Sequence, residues 1–247
     1  MTDYVTQERL EELERRFRAD RRKRGARIAD RHWLEEPLRQ WAHGLEGDNG
    51  AERDGTSSYG NEPAVEDLSE GDIILHETVP GKKPATSPLD DDAVTMLAVG
   101  MRDSLPVRDS LILSLISSEP CSEETLLDMA ANPKEHEIRR MMMDVVADAF
   151  GNAAHMPDRN RCERGLAMLD DLIASVPSPW QVQPFAAMAY ILWWADGKIA
   201  LRYALASLTL DKGCALATIV LSMLSKGVEP AWRDAQGRMG GPDDGED

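Results

Sequence analysis

The stretch from residue 184 to residue 225 constrains the fold of this chain more than any other. Only five of its 42 residues are charged, so we expect this unit to be buried on several sides. Its apolar residues recur at intervals of three and four, which is typical of helices. The Asp196-Gly197 turn is short enough to force the flanking helices into an antiparallel hairpin, with Gly197 free to take a positive φ. We therefore predict three consecutive helices, at residues 184–195, 198–210 and 213–225.

The preceding residues continue the helical pattern back to residue 93. Candidate helices cover 93–101, 107–116, 125–131, 133–150 and 166–176, the fourth with Asn132 as its cap and Pro133 at its first position. No segment alternates strongly with the period of two that a half-buried strand requires. The sequence thus predicts an all-α domain over residues 93–232, built as a bundle of helices and helical hairpins.

Charge sets the first 45 residues apart from the rest. They hold 11 Lys or Arg and 9 Asp or Glu, a net charge of +2, whereas the whole chain of 247 residues carries −16. Leu10, Leu13 and Phe17 lie at helical spacing, so we predict a helix from about residue 6 into the early thirties. Pro37 should begin a second, short helix. Residues 1–45 are therefore interpreted as a basic helical arm.

Two further segments look unable to fold alone. Residues 46–92 are rich in Gly, Ser, Pro and acidic side chains, with Ile73, Ile74 and Leu75 as a small apolar island. Such a composition buries too little apolar surface to offset the entropy of ordering. We predict a disordered acidic linker here and a disordered tail at 233–247.

The arm contains the candidate contact for a polyanion. Nine basic residues occur within 17 positions: Arg15, Arg16, Arg18, Arg21, Arg22, Lys23, Arg24, Arg27 and Arg31. One interpretation is a salt-sensitive contact with nucleic acid. The alternatives are a solvated helix, or an arm that folds back on the acidic surface of the same protein. Stacking aromatic residues are not interleaved with these cations, which weakens the nucleic-acid hypothesis.

Trp193 and Trp194 form the candidate docking surface for a protein partner. Neighbours on a helix point about 100° apart, so we expect that only one of them reaches the centre of the core. The other would line an edge or groove, where aromatic anchors often dominate binding energy.

The sequence predicts no catalytic residue, cofactor or metal ligand. His136 begins a zinc-protease-like motif, but Arg140 stands where the second histidine is needed. The three cysteines are scattered and odd in number, which is typical of reduced thiols in a cytoplasmic protein. No apolar leader or membrane-length stretch is present, so we expect a cytoplasmic location without membrane contact.

The last unit resembles an actinobacterial family known as domain of unknown function 4192. The residues that carry the resemblance are Asp196, Gly197, Ala200, Leu208, Asp211, Gly213, Leu216, Ala217, Gly227 and Pro230. The VRDSLILSL segment around Arg108 and Asp109 is also similar, so the likeness covers about residues 93–232. The strand-rich opening of that family is replaced here by the basic arm. The resemblance implies an actinobacterial cytoplasmic protein and brings no catalytic residues with it.

Three hypotheses for function follow. The first is a non-enzymatic helical module that binds a protein partner through residues 184–225, with the arm as a tethered accessory. The second is a nucleic-acid-associated protein that uses the basic arm. The third is an enzyme whose site the sequence does not reveal.

Overall fold

A computed structural model describes residues 5–46, 87–195 and 199–239 of the chain. Over these ranges it contains eleven helices and no strand, which confirms the all-α prediction. The helices are α1 (Gln7–Arg24), α2 (Ala26–Glu46), α3 (Asp91–Asp103), α4 (Leu105–Ile116), α5 (Glu123–Ala131), α6 (His136–Gly151), α7 (Arg159–Ser175), α8 (Ser178–Ala195), α9 (Ala200–Leu210), α10 (Ala215–Ser225) and α11 (Ala231–Met239).

Side chains at the helix ends explain several of these boundaries. The carboxylate of Asp90 accepts a hydrogen bond from the Ala93 amide at 2.7 Å, and Asp158 caps α7 in the same way at 3.0 Å. Thr6 and Ser122 cap α1 and α5. Each cap satisfies an amide that has no partner inside its helix.

The first two helices divide at a glycine rather than at the proline predicted to separate them. Gly25 adopts a φ of 84°, which ends α1 at low cost because glycine has no Cβ. Pro37 lies inside α2, where the missing backbone hydrogen bond costs about 3 kcal/mol. Burial of Leu34, Leu38 and Trp41 on the same helix offsets that cost. The helix predicted to start at Pro184 likewise begins earlier, at Ser178.

Helix α8 is the centre of the molecule. Twelve of its 18 residues are buried. It packs against α3, α4, α7, α9 and α10, so almost every side of it meets another helix. This surrounding explains why its sequence, from Phe185 to Ala195, contains no charged residue.

The predicted arm packs as part of the same core. Leu10 and Phe17 of α1, and Trp41 of α2, belong to one hydrophobic cluster with residues of α3 to α10. The indole of Trp41 donates a hydrogen bond to the Ser114 hydroxyl of α4 at 3.0 Å. The structure therefore does not separate residues 5–45 from the domain predicted at 93–232. Their apolar faces need burial, and α3, α5 and α7 supply it for α2.

Other predicted boundaries fall partly outside the described residues. Of the predicted linker, residues 47–86 are not described, and α3 takes up its last two residues. The predicted Asp196-Gly197 turn also lies outside the described residues. In the predicted tail, α11 continues to Met239 and residues 240–247 are not described. Among the described helices, none combines the length and apolar character that crossing a membrane requires.

Candidate interaction surface

Trp193 and Trp194 are both buried, which contradicts their assignment as a docking surface. Their side chains are 1% and 0% exposed. The Trp193 indole donates to the Val228 carbonyl at 3.1 Å, and the Trp194 indole donates to the Ala149 carbonyl at 3.0 Å. The two tryptophans point in different directions from α8, as expected for neighbours on a helix, but each direction meets another part of the protein. Neither tryptophan is accessible to a partner.

The exposed apolar surface of this unit lies instead on the next two helices. Leu201 and Leu205 are one turn apart on α9 and are 46% and 37% exposed. Ile219 on α10 is 52% exposed, and the side chains of Leu216 and Met223 beside it are only half-buried. We call the surface formed by these five residues the α9–α10 face.

Helix α10 shows how incompletely this unit is covered. Its 11 residues contain no charge, yet only Ala217 and Val220 are buried. Among the described helices, α9 and α10 pack only against α8 and each other. Uncharged helices usually have several sides in the core. The sequence analysis expected the same here, and that expectation is wrong for α9 and α10.

A second apolar patch on α6 is smaller and interrupted by charge. Met143 and Val146 are exposed one turn apart. Arg140 and Asp144 flank them, with 3.8 Å between Nε and the carboxylate. Charged residues are depleted at the centres of protein interfaces. The α9–α10 face is therefore the better candidate.

Five of the nine basic residues proposed for polyanion contact form ion pairs within the chain. They are Arg15, Arg18, Arg21, Arg24 and Arg31. The Arg16 guanidinium lies 5.5 Å from the centre of the Trp33 ring, a distance typical of a cation–π contact. No ion pair with another described residue is seen for the remaining three, Arg22, Lys23 and Arg27, which are exposed at the α1–α2 corner.

The pairs with the most buried carboxylates join α1 to α3 and α1 to α2. Arg18 donates two hydrogen bonds to the Asp103 carboxylate, at 2.7 and 2.6 Å. Arg18 also pairs with Glu14, and the Arg21 Nε lies 2.9 Å from the Asp30 carboxylate. The carboxylates of all three acidic residues are almost completely buried. Breaking such a pair on one side leaves a charge uncompensated in the interior, so this network fixes the arm in place.

Burial raises the pKa values of Asp30 and Glu14. Desolvation raises the pKa of Asp30 to about 6, against the smaller opposing effect of Arg21. Desolvation also raises the pKa of Glu14, although Arg102 and Arg18 counteract it. Both shifts arise because a carboxylate loses more hydration in this interface than its arginine partners restore.

A second contact ties the arm to α5. The Arg31 guanidinium lies 2.5 Å from Glu124 and also pairs with Asp128. Arg9 reaches Asp92 of α3 at 2.5 Å. The interpretation in which the arm folds back on the protein's own acidic residues thus has direct structural support.

Arg108 and Asp109 pair with each other, although adjacent residues on a helix do not face each other. The long guanidinium folds back so that Nε and Nη2 lie 2.9 and 2.6 Å from one Asp109 oxygen. The Arg108 Nη1 also donates to the Gln183 side chain of α8 at 2.7 Å. These contacts join α4 to α8 and are structural.

A cleft of about 450 Å³ between α1, α2 and α3 is lined by arginine, glutamate and aspartate side chains, without serine, cysteine or histidine among its described residues. His155 is buried and its Nδ1 lies 2.7 Å from Asp148, while the Cys162 thiol points to the Leu115 carbonyl at 3.8 Å. Burial raises the pKa of Cys162 to about 12, so this thiol is poorly suited to act as a nucleophile. No group of three or more potential metal-ligating side chains is found in the same ranges.

Searches against protein-family models, curated proteins and solved structures found no significant match to this chain. The resemblance to the domain of unknown function 4192 family therefore stays a prediction.

The exposed apolar residues of α9 and α10 lie in the segment that the sequence analysis singled out, but they are not the two tryptophans named there. The uncharged α10 and the leucines at positions 201 and 205 were visible in the sequence. What the sequence did not reveal is that no further described helix covers them. Such a surface can be recognised only once the tertiary packing of α8 is known.

Proposed function

We propose that this chain is a non-enzymatic helical module that binds a protein partner through the α9–α10 face. The observation that carries the proposal is the exposure of an uncharged helix, α10, beside two exposed leucines on α9. Apolar side chains exposed on two helices that pack against each other often mark an interaction site. A cytoplasmic location is part of this proposal.

The arm has a different role in this proposal from the one suggested by the sequence. Its helices α1 and α2 are held by the buried pairs of Arg18 and Arg21 and by the hydrophobic cluster. It acts as a structural part of the module rather than as a tethered accessory. Because Arg18 and Arg21 are paired with carboxylates of the same chain, they are not free to bind the phosphates of a nucleic acid.

The test compares two isoleucine variants that differ only in location. Ile219 on the α9–α10 face and Ile28 at the α1–α2 corner are 52% and 56% exposed. Tagged wild type, Ile219→Glu and Ile28→Glu are used to capture partners from a nuclease-treated lysate of the source cells. We expect a protein that wild type and Ile28→Glu retain in equal amount and Ile219→Glu loses. Equal capture by all three, or partners that disappear with nuclease, would contradict the proposal.

A further inference from the structure

We infer that the cleft between α1, α2 and α3 is a binding site for a small aromatic monocarboxylate. The cleft encloses about 450 Å³, which lies within the usual range of small-molecule sites. It has no residue in common with the α9–α10 face, so the inference does not depend on the proposed function.

Apolar side chains form one part of the cleft. They are Leu13 of α1, Trp33 and Pro37 of α2, and Ala93 and Met96 of α3. Pro37, Ala93 and Met96 are buried, so packing holds this wall in place. The indole of Trp33 is half-buried, and aromatic rings pack well against it. This lining suits a ligand with a flat apolar body.

Six charged side chains also line the cleft in the described structure, and five of them already have a partner in the chain. Arg9 of α1 pairs with Asp92 of α3 at 2.5 Å. The other three are carboxylates with partners on α2 or on their own helix: Glu12 with Arg15, Glu36 with Arg39, and Asp90 with Gln40. For the sixth, Arg16, no ion pair or hydrogen bond with another described residue is seen.

Arg16 is therefore the group that would bind a charged ligand. Its guanidinium lies 5.5 Å from the centre of the Trp33 ring. A cation–π contact uses the positive charge of the guanidinium and leaves its N–H donors available. Two of these donors can bind one carboxylate through parallel hydrogen bonds. An aromatic carboxylate could thus bind Arg16 and pack its ring against the apolar wall beside Trp33.

The acidic residues of the cleft select a ligand with a single negative charge. Each paired carboxylate still repels further negative charge placed close to it. A phosphate monoester carries about −1.5 to −2 at neutral pH, so it should bind less tightly than a carboxylate with the same ring system. The neutral amide of that ring system should also bind less tightly, because it forms no charge-assisted pair with Arg16.

Saturation-transfer difference NMR of the full-length chain tests the inference, because this method detects weak ligands. The probes are 2-naphthoate, 2-naphthamide and 2-naphthyl phosphate. We expect 2-naphthoate to bind with a Kd of about 1 mM, as is usual for a small ligand in an open cleft. The amide and the phosphate should each bind at least about threefold more weakly.

Two arginine variants locate the site. Arg16→Gln should weaken 2-naphthoate binding about fivefold or more and should abolish the preference for 2-naphthoate over the amide. Arg22→Gln is the matched control, since Arg22 is another exposed arginine of α1 and does not line the cleft. It should bind all three probes like the wild type. Both arginines are exposed, so neither change should disturb folding, which circular dichroism verifies.

Three outcomes would overturn the inference. The first is a wild type that binds none of the probes. The second is equal binding of 2-naphthoate by wild type and Arg16→Gln, because the ligand would then lie elsewhere. The third is tighter binding of the phosphate or the amide than of 2-naphthoate, because the ligand class would then be wrong. A preference for 2-naphthoate that only Arg16→Gln removes supports the inference, whatever the capture experiment shows for the α9–α10 face.

Discussion

The buried carboxylate of Asp30 should make the stability of this protein depend on pH in a window that one substitution can isolate. Asp30 lies at the start of α2, with Arg21 at 2.9 Å as its ion-pair partner. The buried carboxylate of Asp103 is close enough to add repulsion. Desolvation is the dominant effect and raises the Asp30 pKa from 3.8 to about 6.

The sign follows from proton linkage. Between these two pKa values the folded state binds more protons at Asp30 than the unfolded state does. Stability is therefore highest below the unfolded value and falls as pH rises through the folded value. The full loss is about 3 kcal/mol for a shift of this size. From about pH 5, which stays above the pI of 4.7, to about pH 7.5, it amounts to about 1.4 kcal/mol.

The assay is urea unfolding followed by circular dichroism at several pH values for wild type, Asp30→Asn and Asp20→Asn. The difference in unfolding free energy between Asp30→Asn and wild type should rise by about 1.4 kcal/mol across that range. Hydrogen bonds from Arg24 and Trp33 lower the pKa of Asp20 to about 2, so Asp20→Asn should show a flat difference. A flat difference for Asp30→Asn, or an equal slope for both variants, would refute the reasoning.

Three further predictions concern packing. Gly165→Ala should destabilise the fold by about 1–3 kcal/mol, because its Cβ would lie 2.4 Å from the buried Leu115 side chain. Gly151→Ala, whose Cβ meets nothing within 4 Å, should be neutral or stabilising in the same urea titration. Trp194→Ala should lower the unfolding free energy by about 3–5 kcal/mol, and a near-native midpoint would contradict its core position. With a thiol reagent near neutral pH, Cys162 should react slowly in the native protein and rapidly in urea, because burial raises its pKa to about 12.

The fold class could be predicted from the sequence because it depends on local periodicity. The segment around Leu166 and Leu169 shows the three-and-four spacing of α7, and the helix predicted at 107–116 corresponds to α4, which begins two residues earlier at Leu105. The helix breaks were harder to predict. Pro37 has a strong local preference to begin a helix, yet buried neighbours on both sides keep α2 continuous through it. Tertiary packing overrode the local signal there.

The candidate surface depended on long-range information that the sequence does not carry. Tryptophan is a common binding anchor, but Trp193 and Trp194 are buried and donate their indole hydrogen bonds to the carbonyls of Val228 and of Ala149 on α6. Ile219 looks like an ordinary core residue, and it is exposed because no described helix other than α8 and α9 packs against α10. Residue type predicted that one of the two tryptophans is exposed and that Ile219 is buried. Both predictions failed because burial depends on which other helices pack against a side chain.

The charge asymmetry that first suggested a nucleic-acid arm now argues for an internal role. A protein that neutralises nine phosphates of duplex DNA should lose affinity with a slope of about −8 in log K against log salt, and one that neutralises three should show about −3. Arg22, Lys23 and Arg27 are the three cations of the arm for which no described partner is seen. The steeper slope would require Arg18 and Arg21 to leave buried carboxylates uncompensated inside the fold. Removing one partner of a fully buried pair typically costs 3–5 kcal/mol, and the cost is smaller here because half of the Arg18 side chain is exposed. The buried carboxylates of Asp103 and Asp30 still lose their partners in that case, so the pairs favour a role for the arm in holding α1, α2 and α3 together.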